Sequence, residues 1–286
     1  MKTYNDIYFS ARNRLRDAGI EGYTLEARLI AAAASGKTVN QFLRDLNLYS
    51  SSEIEKKVEE LLERRLKGEP VAYITGEWEF YGLPMKVTPD VLIPRMDTEV
   101  LIDAAKEILV GRKMDARILD LCCGSGCISC AIGHELPASR LVAVDISAKA
   151  LEVCRSNLAL NLIAPRAITL QADALSFPPL SLGKAQFDMI LCNPPYIATS
   201  ELAALDASVK DYEPRWALDG GEDGLKFYRS VIKYWRSLLR SGGAILFEVG
   251  EGQAAEVAEL LDSAVFHDIS TRKDTLGVER VVIGFN

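Results

Sequence analysis

The sequence predicts an α/β protein: a seven-stranded sheet with helices on both faces, preceded by a small all-helical amino-terminal domain and a β-hairpin connector. Three observations carry this expectation. Residues 1–72 place their apolar residues at helical spacing. From residue 117 onward, strand-length apolar runs alternate with helical patterns, the signature of a parallel sheet covered on two sides. The buried-strand run Phe187 to Cys192 stops abruptly at Asn193-Pro194-Pro195-Tyr196, where two prolines without N–H donors end a ladder and hold a rigid outward turn.

The elements follow in chain order. Tyr4 to Ala18, Thr24 to Ala34, Val39 to Leu46 and Ser52 to Leu66 read as helices. The fourth is expected to open with Ser51 or Ser52 as cap and Glu55 completing a capping box on Ser52. Its core face is Ile54, Val58, Leu61, Leu62 and Leu66, and Glu59, Glu60, Glu63, Arg64 and Arg65 form a solvated face. Gly68-Glu69-Pro70 stops it. Aromatic and β-branched residues with Gly76, Gly82 and Pro84 then predict a hairpin within residues 73–90. A helix from Thr98 to Val110 leads to strands at Arg117 to Leu121, Arg140 to Ile146, Ala167 to Ala172, Phe187 to Asn193, Ala244 to Val249, Val265 to Thr271 and Glu279 to Phe285. The last two are joined so closely that one must run antiparallel. Ligands of such sheets bind beyond the strand carboxyl ends, near the point where strand order reverses.

Composition narrows the function classes. At 286 residues, 49% hydrophobic and 26% charged, the chain is an ordinary globular protein of one large or two modest domains. Its amino terminus lacks the apolar core of a signal peptide and no apolar run spans a bilayer, so a cytoplasmic protein without membrane contact is expected. A net charge of −7 argues against a broad electrostatic grip on nucleic acid, and direct nucleic-acid binding is not expected. The first 75 residues carry 12 basic against 11 acidic side chains and the remainder 21 against 29, so the acidity belongs to the second part. Four of the six cysteines, Cys122, Cys123, Cys127 and Cys130, crowd one short stretch, which is neither a disulfide framework nor paired metal ligands; they read as small apolar packing, and no metal is expected. His134 and His267 stand outside any motif and read as a helix-surface and a strand residue.

The turn after the fourth strand offers acceptors: the Asn193 side-chain oxygen and the Pro194 carbonyl, with the Tyr196 ring as a wall. Such an array suits a planar NH2 group, which donates two hydrogen bonds while its nitrogen faces an electrophile. The first strand of the sheet leads into Asp120-Leu121-Cys122-Cys123-Gly124-Ser125-Gly126, whose glycines let a ligand approach the backbone. The second ends on Asp145, placed to accept both hydroxyls of a ribose. Dinucleotide dehydrogenases and methyltransferases share that geometry. Only Gly124 and Gly126 are present and no third glycine falls in register, so the loop suits a ligand without phosphates, such as S-adenosylmethionine. Asp173, ending the third strand, is placed either to meet the adenine edge or to cap a helix.

Taken together, these residues resemble the release factor glutamine methyltransferases, class I S-adenosylmethionine-dependent enzymes. The resemblance covers almost the whole chain: Pro70 to Gly76, Gly82 to Val87, Ile93-Pro94-Arg95-Met96-Asp97-Thr98-Glu99, Asp120 to Gly126, Asn193 to Tyr196, and Glu213-Pro214 to Gly224. It implies a substrate-recognition domain at 1–72, a hairpin connector at 73–95 and a Rossmann-like methyltransferase domain at 96–286. It also implies methylation of the glutamine side-chain nitrogen in the Gly-Gly-Gln motif of peptide chain release factors. Cofactor contacts carry over onto Cys122, Cys123, Gly124, Ser125, Gly126, Asp145, Ala174 and Asn193, and catalytic and substrate contacts onto Asn193, Pro194, Pro195 and Tyr196. Three positions depart from the family pattern. Cys122 stands at the loop's first glycine, Ala174 where an aromatic often covers the adenine, and Met96 at the second proline of Ile-Pro-Arg-Pro. The competing expectations are glutamine methylation of a ribosomal protein, adenine-N6 methylation of nucleic acid, which would call for a basic groove and a base-holding region, and a binding module without turnover.

Overall fold

A computed structural model describes residues 2–110, 115–183 and 186–286. The chain falls into two compact units, Met1–Glu77 with Asp206–Tyr212, and Trp78–Leu205 with Glu213–Asn286.

The first unit is helical: α1 (Tyr4–Asp17), α2 (Tyr23–Ala34), α3 (Val39–Arg44), α4 (Ser52–Leu66) and α5 (Val71–Thr75). Thr3 and Asp6 form a reciprocal capping box at α1, which buries Tyr4, Ile7, Ala11 and Leu15 along one stripe. α4 differs from expectation at its start. Ser51 caps it by accepting from the Ile54 N–H at 3.3 Å, which leaves Glu55 one residue too far along for a capping box. Glu55 instead accepts from the Lys2 N–H at 3.2 Å. Nor is the charged face of α4 wholly solvated: Arg14 of α1 bridges Glu59 and Glu63, and Arg65 pairs with Glu26 at 2.5 Å, both partners mostly buried. Tyr73 to Thr75, expected in the hairpin, belong to α5.

The second unit opens with the hairpin β1 (Glu77–Phe80) and β2 (Leu83–Lys86), shorter than the sequence suggested. Then follow α6 (Glu99–Leu109), β3 (Arg117–Leu121), α7 (Cys127–Glu135), β4 (Arg140–Asp145), α8 (Ala148–Leu160), β5 (Ala167–Gln171) and β6 (Phe187–Cys192). The chain passes α9 (Ala207–Lys210), in the segment that clusters with the first unit. It finishes with α10 (Lys226–Trp235), β7 (Leu239–Glu248), α11 (Ala254–Ser263), β8 (His267–Lys273) and β9 (Glu279–Phe285).

Seven of these strands form one sheet in the order β5-β4-β3-β6-β7-β9-β8. β9 runs antiparallel to both β7 and β8, and the pairings among β3 to β7 are parallel. Burial on both faces explains why β6 is apolar at every position but Asp188. Met189 and Leu191 pack among Leu101, Ile102 and Ile128 on one side; Ile190 and Cys192 pack among Tyr228, Trp235 and Phe247 on the other. No helix among the described residues is long and apolar enough to cross a membrane.

Order reverses between β3 and β6, so the carboxyl ends of β3, β4 and β6 meet around one crevice. Asn157 of α8, fully buried, anchors that rim. Its Oδ1 accepts from the Lys86 N–H at 2.7 Å, and its Nδ2 donates to the carbonyls of Lys86 and Ser125, each at 2.9 Å. Asn157→Ala would strip the partners from the buried Ser125 carbonyl and from the part-buried Lys86 N–H and carbonyl. Denaturant unfolding of this variant is expected to show a loss of about 2–4 kcal/mol; a loss below about 1 kcal/mol would mean that the loop and hairpin are held by something else.

Candidate active site

β3 carries Asp120, completely buried. Its Oδ2 accepts from the Ser129 N–H at 3.1 Å and the Ser129 hydroxyl at 2.6 Å, tying strand end to α7, while Oδ1 has no partner. Burial pushes this carboxyl up to about 7 against the bonds from Ser129. The loop then turns three times through the left-handed region, at Cys122 (φ 60°), Gly124 (φ 50°) and Gly126 (φ 78°). Cys122 holds a conformation that glycine adopts freely, at a cost of about 1–2 kcal/mol. Gly126 is required twice over, since a Cβ there would also stand 2.5 Å from the Cys154 sulfur.

β4 delivers Asp145. Its Oδ2 accepts from the Gly124 N–H and its Oδ1 from the Ser147 N–H, both at 2.9 Å, so the carboxylate fastens the loop and retains lone pairs for two further donors. Burial is the largest influence on it and raises its pKa, opposed by those backbone bonds. Asp173 resolves as the stop of a tight turn, Oδ1 accepting from the Leu175 N–H at 2.8 Å. Cys122, Cys123, Gly124, Ser125, Asp145, Asp173, Ala174, Asn193 and Pro195, all named from the sequence, line a single cavity of about 440 Å³; Gly126, Pro194 and Tyr196 are not among its lining residues. Where Ala174 replaces an aromatic, Phe227 of α10 contributes a ring to the wall. All six cysteines are free thiols.

Asn193 stands one residue beyond β6. Its Nδ2 donates to the Thr98 hydroxyl at 3.2 Å, which leaves Oδ1 as the end of the amide open to a ligand. Thr98 occupies the N-cap of α6 yet makes no capping bond, so its hydroxyl serves Asn193 instead. The rest of the turn is gripped from behind. Gln253 Nε2 donates to the Tyr196 carbonyl at 2.9 Å, and its Oε1 accepts from the Gly250 N–H at 3.0 Å. Ile197 bonds both ways with the run after Glu213, its N–H to Leu218 O at 3.0 Å and its carbonyl from the Gly220 N–H at 2.8 Å. Gly220 permits that approach, because a Cβ there would lie 2.7 Å from Tyr196 Cα.

Sequence reasoning left Arg95 and Glu99 without roles. Arg95 pairs with buried Glu213, whose other oxygen accepts from the Ile93 N–H at 3.3 Å, and so ties the Ile-Pro-Arg segment to the run that clamps the turn. Glu99 accepts from the Tyr81 N–H at 3.0 Å and holds the hairpin turn to α6. Thr98, Glu248 and Gln253 were missed altogether. The signal for Glu248 was present: a lone carboxylate inside the apolar strand Ala244 to Val249. Burial pushes Glu248 up to about 7, opposed first by the nearby Thr98 hydroxyl.

Asp120 and Glu248 both bind protons more tightly folded than unfolded, where their ordinary values are 3.8 and 4.5. Their contribution to stability is therefore full below about pH 4 and lost as pH rises through about 7. Chemical denaturation of Asp120→Asn against wild type at pH 5 and pH 8 is expected to show a smaller drop across the interval in the variant. An equal drop would mean that Asp120 titrates normally.

The PrmC N-terminal domain model matches residues 7–76, and the methyltransferase small domain model matches residues 97–210. A release factor glutamine methyltransferase of Geobacter sulfurreducens is 39% identical over 279 residues, covering 96% of this chain and 93% of the relative. Another, from Thermodesulfovibrio yellowstonii, is 42% identical over 237 residues and covers 82% of each. Among solved structures, the hMettl16 catalytic domain in complex with MAT2A 3'UTR hairpin 6 is similar with a TM-score of 0.59, at 15% identity, covering 79% of this chain and 81% of that one. That likeness concerns the fold. With both family models in place and such identity along nearly the full length, the chain belongs to the release factor glutamine methyltransferases.

Proposed function

We propose that the chain transfers a methyl group from S-adenosylmethionine to the side-chain amide nitrogen of the glutamine in the Gly-Gly-Gln motif of peptide chain release factors. The observation that carries this reading is the Asn193 amide. With Nδ2 held by Thr98, its Oδ1 is an acceptor at the cavity, matched to an NH2 donor and mismatched to a carbonyl.

An amide nitrogen is a poor nucleophile because its lone pair is delocalised into the carbonyl. Asn193 Oδ1 and the Pro194 carbonyl would take the two N–H groups and leave the nitrogen lone pair pointing away from them. No hydrogen bond among the described residues engages that Pro194 carbonyl. These acceptors strengthen as positive charge builds on nitrogen, so they favour the transition state over the ground state. Pro195 would border the glutamine, and Tyr196, its backbone fixed by Gln253, would wall the turn against water. The reading needs no general base, since an N-alkylated, positively charged amide is acidic enough to lose its proton to water.

The cavity residues suit the cofactor by their donor set. Asp145 would receive the ribose hydroxyls with its remaining lone pairs, the apolar stretch Val144, Ile146 and Ala174 would hold the adenine with Asp173 at its edge, and the loop Cys122 to Gly126 would border the rest. When bound, S-adenosylmethionine supplies a methyl group activated by its sulfonium charge. The helical domain, 1–72, would recognise the release factor, in the cytoplasm where translation ends.

Three measurements bear on this. Asp145→Ala is expected to weaken cofactor binding by about 1.5–3 kcal/mol in calorimetric titration, the scale of charge-assisted hydrogen bonds; unchanged affinity would remove the ribose assignment. Asn193→Ala should lower turnover on intact release factor by about 10²- to 10³-fold, with a far smaller change in cofactor affinity. Mass spectrometry of release factor, ribosomal protein and DNA incubated with wild type locates the methyl group, and label on adenine with none on the Gly-Gly-Gln glutamine would sink the proposal.

A further inference from the structure

Glu248 ends β7 with 2% of its surface exposed, in a strand that is otherwise apolar around it. The parallel register pairs Cys192 with Phe247, so Glu248 falls beside Asn193 across the two strand ends. Thr98 and the Asn193 side chain stand near enough to this carboxylate to oppose the effect of its burial. Thr98 Oγ1 accepts from Asn193 Nδ2, so its single proton is available to the Glu248 carboxylate. The consequence is directional: the Asn193 NH2 donates to Thr98 at the back of the site, and the Glu248 carboxylate beside it is a second acceptor on that same side. Glu248 Oε2 keeps no partner, so this carboxylate is not there to complete a saturated structural network. Arg280 of β9, paired with Asp97 at 3.0 Å and Asp274 at 2.9 Å, offsets part of the buried charge.

We propose that Glu248, directly and through Thr98, is the positioning residue that fixes which end of the Asn193 amide faces the substrate. A carboxamide turned by half a revolution has almost the same shape, so packing alone does not choose between its two orientations. An ionised carboxylate behind it does, because in that form it only accepts. In the turned state Asn193 Oδ1 would face the Glu248 oxygens in a poorly screened interior, and an NH2 would face the glutamine NH2. Two donors meeting there would disable the site without altering its contour. The inference rests on the glutamine reading for its catalytic consequence, whereas the orientation itself is a property of this chain.

The test uses the full-length enzyme with Glu248→Gln, Thr98→Val and Thr98→Ser. The Glu248→Gln side chain is nearly isosteric but offers a donor as well as an acceptor, so it no longer selects one orientation. Glu248→Gln and Thr98→Val are expected to lower turnover at saturating release factor by about 10- to 100-fold, with cofactor Kd and release-factor KM within about threefold of wild type. Thr98→Ser, which restores the hydroxyl, should return turnover to within about threefold. In an Asn193→Ala background, Glu248→Gln should cost less than about twofold more, because its effect passes through that amide. Losses that multiply independently would overturn the proposal, as would a Thr98→Ser variant as slow as Thr98→Val. A second arm needs no substrate: the side-chain NH2 protons of Asn193, assigned by their disappearance in Asn193→Ala, should exchange at least about tenfold faster in Glu248→Gln than in wild type. Equal exchange rates overturn the proposal. A wild type that leaves release factor unmethylated sinks the glutamine reading alone, and the exchange arm still decides this one.

Discussion

Parallel pairing of β3 with β6 is the constraint on which the site depends. It is where strand order reverses, so the chain leaving β3 and the chain leaving β6 diverge to opposite faces and leave a crevice between them. The Asp120 to Gly126 loop, Asp145 and Asn193 are far apart in sequence and meet only because three strands end at one level. A one-residue slip of β6 would send Asn193 to the other side of the pleat and replace it with an apolar side chain. Alternation of Met189 and Leu191 with Ile190 and Cys192 between two packed layers is what forbids the slip. The hydrophobic core thus sets the register, and the register sets the chemistry.

Around that crevice the protein tolerates several unfavourable local features. Asp120 and Glu248 are buried carboxyls, and both have one oxygen without a partner. Cys122 holds a left-handed backbone conformation that costs free energy for any side chain with a Cβ. Such features survive only where the surroundings over-determine them, and here the anchors are identifiable: Asn157 on the loop and hairpin, Asp145 on the loop, Gln253 and the Gly220 segment on the turn. The same low dielectric that makes an unpaired oxygen costly strengthens every bond that is made. That trade suits a reaction whose barrier is set by orientation of a weak nucleophile rather than by proton transfer.

How much of this was legible in the sequence depended on range. Strands announced themselves as apolar runs, and β3 and β9 fall where the pattern placed them, each opening on charged residues (Arg117; Glu279 and Arg280) and continuing as a run that the fold buries. Asn193, Asp145 and the glycine loop were visible because each sits directly after such a run. Residues recruited from elsewhere were not. Thr98 looks like an ordinary helix start, and only the fold shows its hydroxyl bonded to Asn193 rather than capping α6. Glu55 sat at capping-box spacing from Ser52, but α4 begins one residue earlier in register, with Ser51 as its cap. Likewise Arg14, Glu26 and Arg65 turned an apparently solvated face into interhelical ion pairs that no i, i+4 rule foresees. Tyr73 to Thr75 went to helix because Pro70 opens α5 and Gly76 closes it in the left-handed conformation, which local β propensity does not anticipate.

The departures from the family pattern can be understood at the same level. A glycine at the first loop position would relieve strain, yet the Cys122 side chain packs against the buried cluster that contains Leu121 and Cys192. A small side chain there adds packing while the loop keeps its path. Ala174 removes bulk from the cavity wall, and the ring of Phe227 approaches from α10 to border the same space. Met96, standing for a proline, is left 82% exposed at the start of a short helical turn, where a proline's fixed φ would help and its absence breaks no ladder. Each substitution therefore falls where neighbouring structure already fixes the backbone. Asn193, whose amide is held at its nitrogen and open at its oxygen, has no comparable slack: any replacement alters either the grip of Thr98 or the acceptor presented to the cavity.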